Sequence, residues 1–147
     1  MALKNFSIIR RLLGENEPSD SEKHDLFREA LLMTLARGTH ADSYTDAAEV
    51  ETVAKIIETH LGEVVPESDI RVAARSDLYE SAPLDKWLKQ CSRALDVSQR
   101  LAIVHALVDV IRVDGHVRSG EADFFNMVVD ALDLKPVDVL NVTLDAT

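Results

Sequence analysis

Cysteine is nearly absent from this chain of 147 residues. Cys91 stands alone, so no internal disulfide can hold the fold, and a reducing compartment is the compatible setting. Glycine (5) and proline (4) are also scarce, which disfavours a turn-rich β sandwich and favours helices. Long apolar runs are missing. The longest, Leu101 to Val113, is cut by His105, Asp109 and Arg112, and it is too short and too charged to span a bilayer. The N-terminus has no apolar stretch leading to a small-residue cleavage site, so no secretory signal is read. Positive charge is short as well, with 16 basic residues against 26 acidic and a net charge of -10. A phosphate backbone would be repelled over most of such a surface, whereas cations and basic partners would be attracted. Nucleic-acid binding is therefore not expected. Acidity of this kind also serves plain solubility. Finally, there is no glycine-rich phosphate loop, and no Ser, Cys or Lys has a base placed beside it by a known motif. The chain reads as a non-enzyme.

What is present is helical pattern. Hydrophobic residues make up 46% and charged residues 29%, a balance that supports a folded core without a structural metal. Residues 1–20 form an N-terminal unit. Phe6, Ile9 and Leu13 recur at helical spacing, and residues 14–20 are a linker by composition. Lys4, Arg10 and Arg11 give the first thirteen residues a charge of +3, which leaves -13 on the remainder.

Residues 21–147 form the main domain. Its first helix is capped by Asp20 or Ser21 and runs to about Arg37, with Phe27, Ala30, Leu31 and Leu35 on its buried stripe. A second follows Thr45, buries Val50, Val53, Ala54, Ile57 and Leu61, and stops at Gly62. Pro66 opens a shorter helix over about Ser68 to Leu78. After Pro83, the near-heptad series Leu84, Trp87, Leu88, Cys91 and Leu95 predicts another, with Cys91 as a buried thiol. Asp96 or Ser98 caps the next. It is apolar on most sides (Leu101, Ile103, Val104, Leu107, Val108, Ile111), which points to a central position. Ser119 caps a helix carrying Phe124, Phe125, Val128, Val129 and Leu132, and Pro136 opens a last short one through Val137 and Leu140. No segment shows strand alternation bounded by hairpin turns. The expectation is an all-α compact bundle of about seven to eight helices.

The halves also resemble one another. Glu29-Ala30-Leu31-Leu32, a polar corner and Glu49-Val50-Glu51-Thr52-Val53 parallel His105-Ala106-Leu107-Val108, a polar corner and Glu121-Ala122-Asp123-Phe124-Phe125. This suggests an imperfect duplication of helix-turn-helix units.

The chemistry concentrates in the second corner, Asp114-Gly115-His116-Val117-Arg118-Ser119-Gly120-Glu121. A carboxylate closes one helix, a glycine allows a sharp turn, and a second carboxylate begins the next helix. Asp114, Glu121 and loop carbonyls would supply the oxygen-rich setting that Ca²⁺ or Mg²⁺ requires. His116 adds a nitrogen donor suited to Zn²⁺. Capping rules account for Gly115, Ser119 and Glu121 without any metal, and the Asp-x-Asp-x-Asp ladder of an EF-hand is missing. Asp114 beside His116 is what those rules leave unexplained. The first corner offers His40, Asp42, Asp46 and Glu49 but lacks an Asp-Gly turn, and it reads as a well-capped solvated loop. His105 is expected to pair with Asp109 one turn later on a surface stripe, and His24 and His60 to lie on helix surfaces.

Ala36-Arg37 entering an acidic turn, Asp77-Leu78-Tyr79, and above all Val113-Asp114-Gly115-His116-Val117 with Glu121 resemble the TerB-like (tellurite-resistance protein B) family. The similarity runs from about Leu26 to Leu140. It implies a compact bundle of about seven helices with internal pseudo-symmetry. It also implies a role in tellurite and other chemical stress responses, divalent-metal binding through acidic residues, and complexes near the inner face of the membrane. Asp114 and Glu121 match the family's acidic pattern. In the first half Gly38-Thr39-His40 stands where Asp-Gly would be, so the resemblance implies one site rather than two.

Together these readings predict a cytoplasmic, non-enzymatic binding module that engages a protein partner, with a divalent cation, Ca²⁺ first, held by Asp114, Glu121 and His116. A peripheral membrane adaptor docked by residues 1–13 is the alternative that the basic N-terminus raises. A metal-dependent hydrolase is a further alternative, resting on the His and acidic residues of the two corners.

Overall fold

Six helices are built from this pattern in the computed structural model, which describes residues 19–38, 47–74, 84–113, 119–135 and 137–139. They are α1 (Asp20–Gly38), α2 (Ala47–Leu61), α3 (Glu67–Ala74), α4 (Leu84–Ala94), α5 (Val97–Val113) and α6 (Ser119–Ala131). Residues 137–139 form one further helical turn. No strand occurs among the described residues, and the protein is an all-α bundle. The expected helix over residues 6–13, the corner 39–46, and the stretch 75–83 that would extend α3 toward Leu78 lie outside the described residues.

Helix α1 starts one residue earlier than its expected cap. The Glu22 backbone N–H donates to the Ser19 hydroxyl at 3.2 Å, and the Ser19 N–H donates to the Glu22 carboxylate at 3.3 Å. This reciprocal pair satisfies two of the N–H groups that every helix start leaves unpaired. Ser19, rather than Asp20 or Ser21, is therefore the cap. At the C-terminal end of α2, Gly62 adopts φ +82° and donates its N–H to the Glu58 carbonyl at 2.8 Å. That left-handed conformation is one that side chains disfavour, so the glycine stop is a backbone requirement. Asp96 stands just before α5, its N–H donating to the Gln99 side-chain oxygen at 3.0 Å.

The buried faces largely follow the spacing. Helix α2 buries Val50, Val53, Ile57 and Leu61; α4 buries Leu84, Trp87, Leu88 and Cys91; α6 buries Val128 and Ala131, with Leu132 just beyond it. Phe124, Phe125 and Val129 are partly buried against the same core. One expectation changes. The helix at the centre is α1, which packs against all five others, whereas α5 packs mainly against α1, α2 and α6. From Leu26 to Ala36 every α1 residue except Arg28 is buried, Glu29 and Thr34 included. On α5 only Ile103, Val104, Ala106 and Leu107 are buried, while Leu101, Val108 and Ile111 lie half out. Apolar residues around a helix record how many neighbours could cover it, and among the described helices α1 meets more of them than α5 does.

Polar ties join the helix ends. Lys23 of α1 meets Asp96 at 3.1 Å, and His24 meets Glu63. Arg28 lies between Glu29, Glu63 and Asp69 at 3.8, 3.8 and 3.7 Å. The Arg100 guanidinium donates to the carbonyls of Leu132 and Asp133 at 3.0 and 3.3 Å. It thereby closes the end of α6, where Asp133 turns through φ 53°. A cation is well placed there, because the last carbonyls of a helix carry partial negative charge.

Candidate functional site

The second corner joins two packed helices. Helix α5 ends at Val113, one residue before Asp114, and Glu121 is the third residue of α6. The backbone of residues 114–118 and the side chains of Ser119, Gly120 and Glu121 lie outside the described residues, as do His40, Asp42, Asp46 and the Glu49 side chain of the first corner. The candidate ligands Asp114, His116 and Glu121 are thus located by their flanks alone. Those flanks are well anchored. Ile103, Val104, Ala106 and Leu107 of α5 and Val128 and Ala131 of α6 belong to one buried core.

A groove of about 350 Å³ lies between α2 and α5, lined by Ile56, Thr59, Asp109, Arg112 and Val113. Its lining is mostly apolar, and Asp109 and Arg112 bring one charge of each sign to it. Thr59 spends its hydroxyl on the Lys55 carbonyl, 2.9 Å away. Beside the groove, His60 of α2 lies against Asp109 of α5, with Nε2 2.8 Å from Oδ2. A carboxylate accepts only, so Nε2 carries the proton of this bond. His105, one turn before Asp109, lies 3.9 Å from the other carboxylate oxygen. The two imidazole rings meet edge to face with centroids 5.1 Å apart.

This arrangement revises two expectations. His60 is no ordinary surface histidine, for its side chain keeps only 13% of its exposure. Asp109 takes its close partner from α2, across 49 positions of sequence, and the same-helix pairing with His105 is the looser one. Sequence spacing reveals the i, i+4 neighbour but not the helix that crosses it. His24 lies at the surface as expected, paired with Glu63 across from α1.

Other expected features are found where they can be seen. Cys91 is fully buried. Burial pushes its thiol well above the ordinary range; a backbone hydrogen bond pulls it down, and the nearby Glu29 carboxylate pushes it up again. It is not a thiolate nucleophile at neutral pH. Among the described residues, no three or more His, Cys, Asp or Glu side chains are arranged to hold a metal ion. The cluster is a His60–Asp109 hydrogen bond with the His105 ring packed beside it. No helix among the described residues is long and apolar enough to cross a membrane.

No curated protein and no solved structure matches significantly. A family model described as TerB, tellurite resistance protein TerB, matches residues 28–143. That span runs from the third turn of α1 past residue 139 and takes in both corners. A match over most of the chain, on an all-helical bundle with Asp114-Gly115-His116 between its packed helices, identifies the lineage: the chain belongs to the TerB family.

Proposed function

We propose that this protein is a non-enzymatic binding module that takes a divalent cation at the α5–α6 corner and presents an acidic surface to a protein partner, in a stress-response setting on the cytoplasmic side of the membrane. The observation that carries the proposal is the position of the corner. The family match encloses it, and two core-packed helices hold its ends. The donor chemistry fits. Asp114 and Glu121 offer carboxylate oxygens, and the intervening turn offers carbonyls, the ligand class that Ca²⁺ and Mg²⁺ take. His116 in the same turn adds a nitrogen, which favours Zn²⁺ when it engages. When bound, the cation supplies positive charge at the end of α5, where helix carbonyls already favour a cation. The net charge of -10 suits a partner with basic residues.

Thermal melting with Ca²⁺, Mg²⁺, Mn²⁺ and Zn²⁺ tests the cation. A ligand at about a hundred times its Kd stabilises by about 2.7 kcal/mol, which for a chain of this size raises Tm by roughly 5–10 °C. Asp114→Ala and Glu121→Ala should each abolish the Ca²⁺ shift, and the comparison is made against each variant's own metal-free melt. Equal shifts in wild type and both variants, or no shift with any of the four ions, would reject the site.

A further inference from the structure

We propose that residues 4–13 of this chain fold back as an amphipathic helix and seat their apolar face in the α2–α5 groove. One half of the case is the groove. It is lined by Ile56 and Thr59 of α2 and by Asp109, Arg112 and Val113 of α5. Val113 keeps 61% of its exposure, Thr59 is exposed, and Ile56 is only half-buried. Val110 and Ile111, on the last turns of the same helix, are half-buried as well. Surface of this kind favours an apolar cover, because covering it removes it from water. The other half is the segment. At helical spacing Phe6, Ile8, Ile9, Leu12 and Leu13 fall on one half of a helix, and Lys4, Ser7, Arg10 and Arg11 on the other. The first thirteen residues carry +3 against -13 on the remainder, so the body attracts them.

The anchoring of α1 brings the two within reach. His24 meets Glu63 just past the end of α2, and Lys23 meets Asp96 just before α5. The chain therefore enters α1 beside both helices that line the groove. Residues 14–18, when extended, span about 17 Å. The helix rise from Ser19 to His24 and from Glu63 back to Thr59 comes to about 14 Å. Arg112 opposes the segment's charge locally. Seating the apolar face turns Lys4, Ser7 and Arg11 outward, away from Arg112. A membrane surface would take the same apolar face, so the groove and a bilayer exclude one another as its resting place. The docking needs no cation at the α5–α6 corner.

The test is paramagnetic broadening of backbone amide signals in the full chain, with EDTA present. A nitroxide attached through Ser7→Cys, on the outward half of the segment, is the probe; Cys91 is fully buried and stays unlabelled in the native state. Amides of residues 56–60 and 109–113 should lose intensity. Those of α4, which packs mainly on α1 and α6, should keep it and report an intact fold. The loss should vanish in Ile9→Asp, which spoils the apolar face of the segment. It should vanish equally in Thr59→Arg, which fills the groove with a like charge at an exposed position. A groove left unbroadened, or broadening that survives both substitutions, would overturn the proposal. Broadening that passes from a nitroxide-bearing chain to an isotope-labelled chain without one would make the occupant a second copy and overturn it too. Vesicles of phosphatidylserine and phosphatidylcholine supply the last arm: a label immobilised on them, with the groove signals restored, would assign the segment to the membrane instead.

Discussion

Thr34 sits on the central helix with no exposed surface, and its hydroxyl has no hydrogen-bond partner among the described residues. A buried hydroxyl left unpaired is a cost to folding, while its β-branched shape still fills space. Thr34→Val keeps the shape and removes the cost, so it should stabilise the fold by about 1 kcal/mol. The midpoint of urea denaturation should rise with the slope unchanged, and a lower midpoint would show that the hydroxyl is satisfied. His60 teaches a different lesson at the same scale. Its spacing on α2 marks it as polar and nothing more. Its role comes from Asp109, 49 positions away, which no local pattern can report.

At the scale of single elements, the start of α1 is written in four residues. Ser19 and Glu22 exchange hydrogen bonds as a capping box, a signature legible in Ser19-Asp20-Ser21-Glu22 once the serine three residues before the glutamate is taken as the cap. Ser19→Ala removes the hydroxyl acceptor and should cost about 0.5–2 kcal/mol. The loss should appear as a lower Tm, and Ser19→Asp should recover most of it. If Ser19→Ala melts like the wild type, the cap lies elsewhere. The stops of α2 and α6 divide the same way. Gly62, with its positive φ, is read directly from glycine's freedom. The closure of α6 by Arg100 depends on a residue 32 positions earlier and becomes visible only in the fold.

For the whole molecule, Cys91 is a natural reporter of global opening. It is fully buried on α4, and α4 packs on α1. Labelling by a thiol reagent under native conditions should be slow, and it should accelerate in step with the equilibrium unfolded fraction as urea is added. Rapid labelling in the absence of denaturant would contradict a closed core. The thiol also links stability to pH. Its folded-state pKa is raised, so the native state keeps its proton at a pH where the unfolded chain has lost it. The contribution is fully present below the ordinary thiol range and is lost as pH rises through that range toward the folded value. Stability should therefore fall on the alkaline side, and Cys91→Ala should flatten that part of the profile.

Helix composition, the apolar stripes of α2 and α4, the glycine stop and the buried thiol were all determined by sequence, because each depends on residues within a few turns of one another. The family was legible for a related reason, since Asp114-Gly115-His116 and Glu121 form one contiguous segment. Tertiary structure decided what depends on distant neighbours. It made α1 the central helix, because five helices converge on it, although α5 is apolar on more of its sides. It also took Asp109 from a surface stripe to a seam between helices, because α2 crosses α5 at that point and brings His60 within 2.8 Å of the carboxylate. Burial and charge pairing are properties of the packed whole, and for that reason the His60–Asp109 contact could not be read from spacing alone.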